Sequence, residues 1–113
     1  MGYYSNKSVL TLRNKINSSI SADNDLIQGI RNGAKNSLDA LYTAYFPMIL
    51  QLVLNNNGNE DDAKDIFQEA VIVLYTKITT ENFELKSKLK TYIYAVCRHL
   101  WLKKLNQNSR FSA

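Results

Sequence analysis

The chain has one cysteine, one histidine, one proline and four glycines in 113 residues, and each scarcity removes a class of answer. Cys97 alone cannot close an internal disulfide, and Cys97 with His99 falls short of the ligand set a zinc site needs. No metal and no cofactor are expected. Gly2, Gly29, Gly33, Gly58 and Pro47 are too few for a collagen-like or low-complexity chain. No uninterrupted apolar run approaches the ~20 residues that span a bilayer, and the N-terminus lacks the apolar stretch of a signal peptide. A cytoplasmic protein without membrane insertion is expected. Gly2 raises N-myristoylation, but the sixth position, where Ser or Thr is wanted, holds Asn6. What remains is a globular composition, 45% apolar and 21% charged, in a length that supports one domain.

Acid is missing from both ends. Residues 1–22 carry Lys7, Arg13 and Lys15 and no carboxylate, for +3. Residues 23–84 hold all ten acids against four bases, for −6, and residues 85–113 hold seven bases and no acid, for +7. The net +4 therefore conceals a polarised molecule, which suggests two different partners.

Residues 1–22 are rich in Ser and Asn, whose side chains compete for backbone hydrogen bonds. A flexible or weakly helical tail is expected there, with a short amphipathic helix on Val9, Leu12, Ile16 and Ile20 as the competing reading. The folded part is expected over 23–105. Its first helix should start at Asp23 or Asp25, whose side chains can cap free N–H groups, and stop before Gly33. A second, capped at Asn36 with Asp39, places Leu38, Leu41, Tyr42, Tyr45, Ile49, Leu52 and Val53 at helical spacing to about Leu54, with a kink at Pro47. Asn55 to Gly58 ends it, and Asn59 caps a third helix that buries Ala63, Ile66, Phe67, Ala70, Val71, Val73 and Leu74. Asp61, Asp65, Gln68, Glu69 and Ile72 fall outside that stripe. After a polar link of Thr79, Thr80, Glu81 and Asn82, a fourth helix should run from about Ser87 to Leu105, burying Leu89, Tyr92, Ile93, Val96, Cys97, Leu100 and Trp101. Residues 106–113 should fray. The fold class is all-α, a small bundle of about four helices.

No catalytic set emerges. His99 has no nucleophile or metal partner in its helix, there is no Gly-rich phosphate loop, and the cluster Glu60, Asp61, Asp62 is accounted for by the dipole at a helix start. An enzyme is not expected. The last helix is more informative, because its Lys and Arg interleave with Tyr92, Tyr94 and Trp101, joining phosphate neutralisation to surfaces on which unpaired bases stack. Helix three offers the opposite, an acidic and amide face suited to a protein partner.

These residues reach a resemblance. The stretch from Asp25 to Leu105 resembles region 2 of the bacterial RNA polymerase sigma factors, nearest to their extracytoplasmic-function group. It is carried by DLIQGIRNGAKNSLDALYTAYFPMILQLVL, NEDDAKDIFQEAVIVLYTKI and FELKSKLKTYIYAVCRHLWLKKL in that order. The middle segment is the most specific, since Asp65, Gln68 and Glu69 before an apolar run match the family's D-x-x-Q-E pattern.

The resemblance implies a helical domain that binds core RNA polymerase through the clamp helices of the beta-prime subunit. On its other side such a domain recognises and melts the minus-ten promoter element, holding the non-template single strand with bases turned out. Asp61, Asp65, Gln68, Glu69 and Ile72 would then belong to the polymerase side. Lys86, Lys88, Lys90, Thr91, Tyr94, Arg98 and Lys104 would belong to the DNA side. An anti-sigma factor is a further candidate partner. The chain departs from the family's usual residues at Tyr92, Cys97, His99 and Lys103, the last two altering charge and donors on the reading helix. Sigma factors of this group usually carry a second helical domain, which the eight residues after Leu105 cannot build. The alternative reading is a helical protein-interaction module, an inhibitor or adaptor without DNA binding.

Overall fold

The apolar residues that recur at three- and four-residue steps pack as four helices, α1 (Asn6–Arg31), α2 (Lys35–Leu54), α3 (Glu60–Thr80) and α4 (Leu89–Phe111). This is a computed structural model, and it describes residues 6–80 and 83–111, with no strand among them. The all-α bundle read from the sequence is what forms. Ile27 and Ile30 of α1, Leu41, Ile49 and Val53 of α2, Ile66, Phe67 and Leu74 of α3, and Leu89, Ile93, Cys97 and Trp101 of α4 share one core. No polar or charged residue is buried among the described ones. At about 25 cal/mol per Å² of apolar surface removed from water, this common core is the main force holding the helices together.

α2 is the element most committed to that core. Its 20 residues are long and apolar enough to cross a membrane by length and composition alone, although no uninterrupted apolar run within them has that length. Leu41, Phe46, Ile49, Leu52 and Val53 spend that apolarity inside the bundle. Phe46, outside the expected stripe, is buried, whereas Leu38 and Tyr42 are exposed. The reason is aromatic packing. Tyr42 stacks on Phe46 at 4.6 Å, and Phe67 of α3 meets both rings edge-on at 5.3 and 5.8 Å.

The helix ends are where the structure departs from the sequence reading. α1 begins at Asn6 rather than at Asp23 or Asp25, so residues 6–22 are helical, although Val9, Leu12 and Ile20 of the expected apolar face are exposed rather than docked. Asp23 consequently lies mid-helix and caps nothing in α1. The helix stops where expected, with Gly33 at φ 73° and Gly33 N–H and Ala34 N–H donating to Ile30 and Gly29 carbonyls at 3.0 and 2.9 Å. That pattern needs the left-handed conformation glycine adopts without strain. α2 starts at Lys35 behind Ala34, without a side-chain cap. Asn36 and Asp39 fall inside its first turns and cannot serve as its N-cap.

α3 begins as expected. Asn59 N–H donates to Asp62 Oδ2 at 3.0 Å and Asp62 N–H returns to Asn59 Oδ1 at 2.8 Å, a reciprocal cap. It runs to Thr80, where the hydroxyls of Thr79 and Thr80 bond back to the Tyr75 and Thr76 carbonyls, so these two threonines belong to the helix rather than to the link. Glu81 and Asn82 lie outside the described residues. α4 continues beyond Leu105 to Phe111, so the frayed tail expected from 106 is helical over its described part. Trp101 locks α4 to the turn before α3. Its indole N–H donates to the Asn56 carbonyl at 2.9 Å, and its ring lies so close to Gly58 that a Cβ there would overlap it.

Candidate protein-binding and nucleic-acid interfaces

At 100° per residue, Ala63, Ile66, Phe67, Ala70 and Leu74 occupy one side of α3 and are all buried. Asp61, Asp65, Gln68, Glu69 and Ile72 fall on the opposite side, and all five are exposed. The expected set is therefore one continuous stripe. Asp61, Asp65 and Glu69 enter no ion pair among the described residues, where Lys64 pairs with Glu60 at 3.7 Å. At the C-terminal end of this acidic stripe Ile72 is 58% exposed, and Tyr75, which sequence reasoning missed, extends it at 47%. Its signal was available, since Tyr75 stands three residues after Ile72. Exposed apolar groups beside unpaired charges are what a protein partner can bury.

α4 buries Leu89, Ile93, Cys97 and Trp101, packs Tyr92, Val96 and Leu100 half-buried beside them rather than fully buried as expected, and turns its other side outward. Lys90, Thr91, Tyr94 and Arg98 are exposed, as are Lys86 and Lys88 in the preceding loop. Lys104 is not with them. It is half-buried and lies about 120° around the helix from Arg98, on the side that faces the core. Tyr94, Arg98, His99, Leu102 and Lys103 line a shallow open groove of about 520 Å³. His99 and Lys103, noted from the sequence as departures on the reading helix but not among the expected DNA contacts, thus line the same groove as Arg98.

Loop 83–88 is held by apolar contacts. Phe83 meets Tyr92 edge-on at 5.6 Å, and Leu85 is packed against the core. Tyr92 is thereby half-buried, and its hydroxyl is enclosed with no hydrogen-bond partner among the described residues. Between this loop and α1 lies a cavity of about 720 Å³, with Ile20 and Ile27 on one wall and Lys86 and Lys88 at the other. That volume is within the range of small-ligand sites. Cys97 is sealed inside, its thiol pushed up to about 12 by burial, which makes it a core side chain and not a nucleophile.

A family model described as sigma-70 region 2 matches residues 41–111, more than half of the chain and all of α3 and α4. The chain belongs to the sigma-70 region 2 family. As a member of that family of non-enzymatic transcription factors, it is similar to the ECF RNA polymerase sigma factor SigW of Bacillus subtilis (strain 168), with 27% identity over 81 residues. Those residues are 72% of this chain and 42% of SigW, so the chain spans about two fifths of the length of the curated relative it matches. No solved structure matches it. Within a region 2 domain, the acidic stripe of α3 contains the D-x-x-Q-E residues Asp65, Gln68 and Glu69, and α4 with its loop carries the cationic face. Both helices point their buried stripes into one core, so the two faces look away from it and are available at once.

Proposed function

We propose that this region 2 domain acts in transcription initiation, binding core RNA polymerase through α3 and the unpaired non-template strand of a minus-ten element through α4 and loop 83–88. The observation that carries the reading is the pairing of two exposed faces of opposite sign on helices that share a core. The acidic stripe, with Ile72 and Tyr75 as apolar anchors, suits the beta-prime clamp helices. The cationic face, with Tyr94 exposed beside Arg98, suits phosphate neutralisation joined to base stacking, worth roughly 1–3 kcal/mol per base. Opening the duplex costs a few kcal/mol per base, which polymerase binding helps to offset. The setting is the cytoplasm, and an anti-sigma factor would act by covering either face.

The test is capture of the chain by purified core polymerase, followed by addition of a template whose minus-ten region is already mismatched. Retention of both polymerase and the open strand is the expected result. Capture of neither refutes the proposal, and capture of a protein partner with no salt-dependent DNA affinity favours the interaction-module alternative.

A further inference from the structure

The first turn of α4 has no cap of its own. Leu89 N–H begins the helix, yet the Ser87 hydroxyl before it turns to the Lys88 carbonyl at 3.3 Å, and the lysine side chains of the loop have no acceptor to offer. The acceptor comes from another helix. Leu89 N–H donates to Asp23 Oδ2 on α1 at 3.0 Å, across 66 positions of sequence. A carboxylate at that end is also favoured by the helix dipole. Asp23 is half-buried and forms part of the α1 wall of the 720 Å³ cavity whose other wall is loop 83–88. Its charge is also felt at Tyr45 of α2, whose hydroxyl is pushed up first by burial and then by that charge. One side chain thus joins the start of α4 to the wall of the cavity.

We infer that Asp23 is a positioning residue for the nucleic-acid side: by tying the first turn of α4 to α1, it sets the width of the cavity and the direction in which Lys86, Lys88, Lys90 and Thr91 are presented. The inference rests on the proposal that α4 and loop 83–88 receive single-stranded DNA. The tie complements Trp101, which anchors α4 twelve residues later to the Asn56 carbonyl. With the Asp23 tie cut, α4 keeps its Trp101 anchor and Leu89 stays in the core, while the backbone N–H of Leu89 loses its acceptor and the loop is held by Phe83 and Leu85. The sign of the group matters as well. A carboxylate in the wall, with Lys86 and Lys88 exposed at the rim, repels phosphate from the interior and leaves it to the lysines.

The experiment compares Asp23→Ala and Asp23→Asn in the whole chain. The readouts are amide exchange at Leu89, binding of a labelled single strand of about 12 nucleotides, and capture by core polymerase. Removing the acceptor in Asp23→Ala should speed exchange at Leu89 and weaken single-strand binding, each by about tenfold, the usual cost of a lost cap. Polymerase capture should not change, because α3 is untouched. Asn keeps the acceptor oxygen and should recover both losses to within about threefold, the missing charge accounting for the rest. Parent-like single-strand binding by Asp23→Ala, with or without faster exchange, overturns the inference while leaving the DNA reading intact. Absence of single-strand binding by the parent overturns both. If Asp23→Ala fails to fold, Asp23→Glu, which lengthens the tie by one methylene, replaces it. Weakened strand binding with unchanged polymerase capture is then expected, and unchanged strand binding again overturns the inference.

Discussion

At the scale of single residues, Cys97 links burial to pH. Its thiol is pushed up to about 12 in the fold, against about 8.5 to 9 in an unfolded chain. Between those values the unfolded chain has released a proton that the folded one keeps, so unfolding gains as pH rises. The contribution of Cys97 is complete below about pH 9 and is lost toward pH 12, at up to about 1.4 kcal/mol per pH unit. Urea melts of parent and Cys97→Ala at pH 8 to 10.5 should show a steeper alkaline loss in the parent, and the native thiol should resist a disulfide reagent at neutral pH. Gly58 is the other residue with a sharp expectation. A Cβ there would overlap Val53 and the Trp101 ring, 2.6 Å from its Cζ2, and neither neighbour can swing away, since the indole is bonded to Asn56. Gly58→Ala should cost about 1–3 kcal/mol, read as a lower urea midpoint.

At the scale of elements, α3 and α4 separate cleanly by what their outward faces carry. Charge-assisted pairs from Asp65 and Glu69 to a basic partner are worth roughly 1.5–3 kcal/mol each once partly desolvated. Asp65→Lys with Glu69→Lys should therefore abolish polymerase capture while circular dichroism stays parental, because both positions are exposed and the buried stripe is untouched. On α4 the structure ranks cations that the sequence treats alike. Replacing Lys90 and Arg98 by Ala should flatten the log–log salt slope of single-strand binding by about 1.4 units, at roughly 0.7 per phosphate contact. Lys104→Ala, on the half-buried side, should leave the slope unchanged. A slope equally sensitive to Lys104 would mean that strand binding wraps around α4 rather than following its outward face.

At the scale of the molecule, the chain is longer than its size requires. Its radius of gyration is 17.5 Å, with extents of 64 × 36 × 23 Å, whereas a compact domain of this length would have about 13 Å. The described positions from Val9 to Ser18 are all exposed, so the first half of α1 projects past the bundle, as does the end of α4. Small-angle scattering should return about 17–18 Å for the monomer; about 13 Å would show that α1 folds back on the core. The projecting half carries Arg13 and Lys15 but no acid, and so keeps the chain basic at both ends and acidic in the middle.

Helix periodicity, charge order and motif placement were properties of the sequence. The buried stripe of α3 and the exposure of Asp61, Asp65, Gln68, Glu69 and Ile72 followed from it because a regular helix places residues at known angles. The termination at Gly33 and the reciprocal cap of Asn59 with Asp62 were legible for a similar reason, as each is closed within a few residues. Other features required the tertiary structure because their partners are far apart in the chain. Asp23 reads locally as the cap of its own helix and is in fact the cap of α4. Phe46 reads as off the apolar stripe and is buried because Phe67 arrives from α3. Lys104 reads as one more cation on a basic helix, but the rotation that Trp101 imposes on α4 turns it toward the core. Local rules assign a residue its angle on a helix, whereas only the packing of all four helices decides which neighbour it meets.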